Sequence, residues 1–214
     1  MAIPILIIGK SGSGKSTSLR NCNKDEVGVI NVLGKPLPFR SKLATYATDN
    51  YDVIKKALLK TSMKCMVIDD AGYLMTNQFM LGHSSTGAGN GVFSFYNDIA
   101  DRFWGLIAFV TKELPPDMLV YFIMHEDKND FGDIKPKSIG KMLDEKVCIE
   151  GMFTIVLRSV IENGEYKFKT QTDGKDVCKA PMGMFEDKYI DNDLNYTYKI
   201  IRQYYKFDSE SEEK

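Results

Sequence analysis

A mainly parallel α/β sheet with helices on both faces is the fold class that this 214-residue chain predicts, on three observations. Four short apolar runs rich in β-branched residues alternate with stretches of helical spacing, the rhythm of strand-helix-strand units. The runs are apolar throughout instead of alternating, as strands covered on both faces are. A last pair of runs meets at Asn163 and Gly164, and Asn-Gly accepts the positive φ angles of a two-residue hairpin turn, which supplies an antiparallel edge.

The first strand is residues 3–8, broken only by Pro4 near its start, where a missing amide is tolerated. It ends at Gly9, and residues 15–22 suit a short helix. Residues 27–32 (VGVINV) read as the second buried strand, and residues 33–39, with Gly34, Pro36 and Pro38, as a loop. Asp49 or Asn50 can cap a helix reaching about residue 60, in which Tyr51, Ile54, Leu58 and Leu59 share a face. Residues 65–68 are the third strand. The glycine- and serine-rich stretch 82–91 (GHSSTGAGNG) reads as a mobile loop, and the helix expected over 92–111 is halted by Pro115 and Pro116. Residues 118–124 (MLVYFIM) are the fourth strand and residues 125–146 a polar, lysine-rich stretch; the hairpin spans 153–160 and 165–170. Signals weaken from residue 173. The sequence therefore predicts one domain over 1–206 with no internal repeat, then an acidic, disordered tail over 207–214.

Lys and Arg number 28 against 29 Asp and Glu, so the chain has no overall excess of positive charge, and any nucleic-acid contact must come from a local basic patch. The four cysteines form no CxxC pair, which speaks against a zinc ribbon or redox motif and for free thiols in a reducing compartment. The apolar start lacks a basic leader and a cleavage site, and residues 103–110 fall far short of the roughly 20 that span a bilayer. The expectation is a soluble cytoplasmic protein without a membrane partner.

Gly9-Lys10-Ser11-Gly12-Ser13-Gly14-Lys15-Ser16 matches GxxxxGK[ST] at every fixed position and lies between an apolar strand and a helix, followed by Thr17. Glycines let successive backbone amides curl toward phosphates, Lys15 reaches the β and γ phosphates, and the Ser16 hydroxyl coordinates Mg²⁺. The expected ligand is ATP with Mg²⁺. The run Met66-Val67-Ile68 ends in Asp69 and Asp70; Asp69 then stands at the carboxyl rim of the sheet, where with Ser16 it can hold the metal. Asp70 either polarises the attacking water or caps a helix or turn. His125, ending the fourth strand with Glu126, either senses the terminal phosphate or makes a strand-end hydrogen bond; His83 has no such context.

Lys135, Lys137 and Lys141 lie within seven positions, a patch suited to nucleic-acid phosphates, to a neighbouring subunit's ATP, or to plain solvation. Lys167, Lys169, Lys175 and Lys179 form a looser group around Arg158, and one of them could act in trans as a cationic finger.

Over nearly its whole length the chain resembles the RecA-like ATPases encoded by bacteriophages, which are associated with single-strand annealing and recombination. The resemblance is carried by LIIGKSGSGKST, KPLPF, MVIDDAGYLM, MHED, IKPKSIGKMLDEK, GMFTIVLRS and KAPMGMF. It implies a RecA-like core, a DNA-facing loop over 131–146 containing Lys135, Lys137 and Lys141, and intersubunit lysines among Lys169, Lys175 and Lys179. It also implies homo-oligomers, as rings or filaments, on single-stranded DNA in an infected bacterial host, with a single-strand DNA-binding protein as a further partner. One departure stands out. Such proteins usually carry a catalytic glutamate just after the second strand, and here NVLGKPLPF holds no acid, so either Asp70 takes that role or turnover is slow. Two other functions fit the same loop: a nucleotide-dependent loader of another replication protein, and a small-molecule kinase, for which the lid arginines are missing.

Overall fold

A computed structural model describes residues 1–86, 89–140 and 142–208. Lys141, and the tail from residue 209 onward, lie outside the described residues. The elements are β1 (Ile3–Gly9), a 3-10 helix (Ser16–Asn21), β2 (Val27–Asn31), β3 (Ala44–Ala47), α1 (Tyr51–Lys60), β4 (Cys65–Asp69), α2 (Tyr73–Gly82) and α3 (Asn90–Glu113). They continue with β5 (Leu119–Lys128), β6 (Ile134–Pro136), β7 (Ile155–Glu162), β8 (Glu165–Lys169), β9 (Tyr189–Asp191) and α4 (Leu194–Tyr204).

One sheet runs in the order β3-β2-β4-β5-β1-β7-β8-β9, with β6 paired to the far end of β5. From β3 to β7 every neighbour is parallel, and β7, β8 and β9 are antiparallel. The edge hairpin turns at Asn163 and Gly164, with φ of 52° and 83°. Both central residues thus take the left-handed conformation that the Asn-Gly pair favours.

The strands are apolar throughout because each face of the sheet is covered. Leu6 and Ile8 of β1 pack with Ile54 and Leu58 of α1, Leu74 and Met75 of α2, and Phe103 and Leu106 of α3. Ile5 and Ile7 point the other way, against Leu19 of the 3-10 helix and Leu194, Tyr198 and Ile201 of α4. Each large apolar side chain so buried contributes about 1.5–3 kcal/mol relative to exposure. Of the two residues proposed to cap α1, Asn50 does so: its side chain accepts from the amides of Asp52 at 3.0 Å and Val53 at 3.1 Å. Asp49 accepts instead from the Asn77 side chain at 2.9 Å.

Two expectations are revised. The helix after the glycine loop is a six-residue 3-10 segment, which supplies little macrodipole. The stretch 82–91 is trimmed at both ends, since α2 closes at Gly82 and α3 opens at Asn90. Among the described residues no helix is long and apolar enough to cross a membrane.

Candidate phosphate-binding site

β5 lies between β1 and β4, with Gly9 opposite His125 in register. The glycine loop, the end of β5 and the Asp69-Asp70 turn therefore meet at one rim, the carboxyl edge where ligands of parallel sheets bind. The cleft there measures about 460 Å³ and is lined by Gly12, Lys15, Asn31, Lys35, Asp69 and Tyr166, among others. That is within the range of small-molecule sites.

The loop needs its glycines for space as well as for conformation. A Cβ on Gly9 would lie 2.7 Å from the carbonyl oxygen of Ser159, and Gly14, at φ 94°, would bring one within 2.8 Å of the Tyr166 ring. Lys15 is buried, and its ammonium donates to the carbonyls of Gly9 at 2.9 Å and Lys10 at 2.7 Å. Burial lowers its pKa, and the carboxylates of Asp70 and Asp69 oppose that shift. The cation is thus held at the loop without a direct carboxylate partner, as a phosphate ligand requires.

Ser16 Oγ donates to Asp69 Oδ1 at 2.9 Å, joining two segments 53 residues apart. Asp69 is buried, and burial, reinforced by the charge of Asp70, raises its carboxyl above the ordinary aspartate range while the Ser16 bond pulls it down. Asp70 stands at φ 60°, the left-handed region that most non-glycine residues avoid and that Asp and Asn enter more readily. Its carboxylate caps no helix: α2 starts at Tyr73, with Gly72 at its N-cap and no side-chain cap. It faces the cleft, with Oδ2 2.7 Å from the Lys35 ammonium and Oδ1 3.7 Å from His125 Nε2. Burial, then the nearby charge of Lys15, lowers the His125 pKa against the pull of Asp70, and that shift favours the neutral imidazole. Its ring meets Tyr73 edge-on at 5.9 Å. His83 is exposed and stacked on Phe79, and does not line the cleft.

Sequence reasoning missed the groups that brace this rim. Ser159 Oγ donates to the Ser13 carbonyl at 2.5 Å and accepts from Asn192 Nδ2 at 3.0 Å, so β7 and the turn after β9 support the loop from beneath. Arg158 grips Glu126 through two bonds, at 2.7 and 2.9 Å, tying β7 to the end of β5. Lys35 opens the KPLPF segment, but the sequence reading gave its side chain no role.

The lysines divide. Lys137 is exposed, yet its backbone amide donates to the His125 carbonyl at 2.8 Å, so the basic segment is attached to the site. Lys135 sits half-buried in β6. Lys169 differs from the other candidates: it is 2% exposed and bound to Asp173, at 2.8 Å, and Asp176, so two carboxylates of its own chain occupy the ammonium proposed to reach a neighbour. Lys175 remains exposed, and Lys179 exchanges both backbone hydrogen bonds with Val156.

The donor set fits magnesium as it binds beside phosphates. Among the described residues no cluster of three or more His, Cys, Asp and Glu forms a metal cage. Mg²⁺ characteristically takes only one or two protein ligands and completes its shell with phosphate and water, for which Ser16 and Asp69 suffice. No protein-family model matches the chain, and no curated protein matches it.

Proposed function

We propose that this protein is a magnesium-dependent ATPase with a RecA-like core that acts on single-stranded DNA, in annealing or strand exchange, and assembles with copies of itself. The observation that carries the nucleotide reading is the 2.9 Å contact between Ser16 and Asp69, because it brings the two halves of a phosphate-and-metal site together from distant parts of the chain. Bound ATP supplies the phosphoryl group, and magnesium offsets its charge. The loop amides and Lys15 hold the phosphates, while Ser16 and Asp69 hold the ion. Asp70 accepts a proton from the attacking water, and neutral His125 offers one ring donor and one acceptor beside it.

For the DNA part, the support is the bond between Lys137 and the strand end that carries His125, since it lets the basic segment respond to what occupies the cleft. A second reading, a nucleotide-dependent loader of another protein, is favoured by a different observation. Met80, Leu81 and Phe93, at 59%, 80% and 69% exposure, leave an apolar surface at the α2–α3 end, and such surfaces mark protein partners.

Lys15→Ala is expected to abolish Mg-ATP binding by calorimetry with the fold intact. Wild-type protein is expected to bind single-stranded DNA with an affinity that falls steeply with salt, and Lys137→Ala with Lys141→Ala to flatten that slope. A weak, salt-independent DNA response would remove the annealing role and leave the loader. Wild-type protein that takes up no magnesium nucleotide would remove both.

A further inference from the structure

Lys35 is the second lysine that lines the cleft, beside Lys15. It follows Gly34 and precedes Pro36 in the connection from β2 to β3, and its backbone is fixed at the cleft wall. The side chain of buried Asn31, at the end of β2, donates to the Lys35 carbonyl, and the amide of Gly34 donates to the Asn31 carbonyl at 3.3 Å. The adjoining Val32 amide donates to the carbonyl of Asp69 at 3.2 Å, so the same anchorage ties Lys35 to the strand that carries both acids. The backbone is held, while the side chain is 60% exposed on a flexible four-carbon stem.

Its present partner is of the opposite kind. The Asp70 side chain is only 9% exposed and its backbone stands in a strained conformation, so it cannot follow Lys35 out of place. The Tyr73 ring, 6.0 Å from the Lys35 ammonium, offers that cation a further favourable surface along the cleft. Lys15, by contrast, is buried and bound to two carbonyls of its own loop. The cleft therefore holds one fixed cation and one that can move, and the movable one covers the carboxylate best placed to face an attacking water.

We propose that Lys35 is a charge-exchange residue, for which Asp70 and the terminal phosphate of a nucleoside triphosphate are alternative partners: taking the phosphate uncovers Asp70. This rests on the triphosphate reading of the cleft and adds to it a means of telling triphosphate from diphosphate. A diphosphate lacks the competing anion, so Lys35 stays with Asp70. An ion pair of purely structural purpose would show no such preference.

The test is calorimetric titration of wild type, Lys35→Ala, Asp70→Asn and the double variant with Mg-ADP and with a magnesium complex of a non-hydrolysable ATP analogue. Asparagine tolerates the left-handed conformation, so Asp70→Asn keeps the turn; thermal unfolding checks each variant. Lys35→Ala is expected to weaken the analogue about tenfold, the worth of one charge-assisted hydrogen bond, and to change ADP by less than about twofold. Asp70→Asn frees the ammonium and is expected to tighten the analogue several-fold, and that gain is expected to vanish when Lys35 is also Ala. Equal weakening of both nucleotides by Lys35→Ala, no weakening of either, or an Asp70→Asn gain that survives the loss of Lys35 would overturn the assignment and leave the triphosphate site standing. Folded wild-type protein that binds neither nucleotide would overturn both.

Discussion

Ser159→Ala tests whether the phosphate loop is held from below. The Ser159 hydroxyl is the hinge of a buried chain in which Asn192 Nδ2 donates to it at 3.0 Å and it donates to the Ser13 carbonyl at 2.5 Å. Ser159 and Asn192 are each 2% exposed, and the space left by one oxygen is too small to admit a bridging water. Alanine therefore leaves an amide donor and a carbonyl acceptor without partners. At about 1–3 kcal/mol for each buried group so orphaned, with some relaxation of the loop, the expected loss is roughly 2–4 kcal/mol. Urea unfolding followed by circular dichroism reads it as a lower midpoint at unchanged slope. Because the loosened segment belongs to the loop proposed to hold the phosphates, Mg-nucleotide affinity is expected to fall about tenfold as well, equivalent to about 1.4 kcal/mol. Asn192→Ala breaks the same chain, so the double variant is expected to lose little more than either single one. A Ser159→Ala protein with unchanged midpoint and affinity would show that the loop keeps its shape without this support.

Two further outcomes follow from the charges around the rim. Arg158→Ala strands Glu126, whose side chain is 3% exposed, and is expected to cost about 3–5 kcal/mol in chemical unfolding; replacing both residues by methionine is expected to restore most of that, and a single variant as stable as wild type would refute the pairing. Asp69 carries a folded-state pKa above its unfolded one, so its contribution to stability is full below the unfolded value and is lost as pH rises through the folded value. Asp69→Asn, which keeps the acceptor for Ser16, is accordingly expected to unfold about 2–4 °C above wild type at pH 7 without magnesium, for a gain of about 1 kcal/mol. The gap is expected to close as pH falls through the acid range; a variant less stable than wild type at pH 7 would contradict the sign.

What could be read from the sequence was local. Asn50 as a cap and the Asn163-Gly164 turn each act within a few residues, and both took the expected conformations. Helix α4 escaped because its buried stripe, Leu194, Thr197, Tyr198, Ile201 and Arg202, has helical spacing but is half polar; the signal on offer was Asp193, whose side chain accepts from the amides of Asn195 and Tyr196. Strand β3 has every residue exposed and forms because β2 presents an open parallel edge to it. The bracing of the loop was out of reach, since Ser159 and Ser13 are separated by 146 positions and serine at a strand end carries no pattern of its own. Lys169 reads on paper like any surface lysine, and only the folded chain brings Asp173 and Asp176 around it.

Asp70 ties these strands of reasoning together. The chain must leave β4 and enter α2 within three residues, and it is pinned on the way: the Ala71 amide donates to the Ile123 carbonyl at 2.8 Å, and the Tyr73 amide to the Asp70 carbonyl at 2.9 Å. Between those bonds Asp70 takes a left-handed backbone, φ 60°, which costs most residues about 1–2 kcal/mol, Asp and Asn less, and glycine nothing. Glycine would relieve the strain and keep every backbone bond, so turn geometry alone does not account for an aspartate there. What the side chain adds is a carboxylate turned into the cleft between Lys35 and His125, and β5 had to lie between β1 and β4 for His125 to reach it. An aspartate kept at a left-handed turn where glycine would serve supports the proposed role of Asp70 in the cleft.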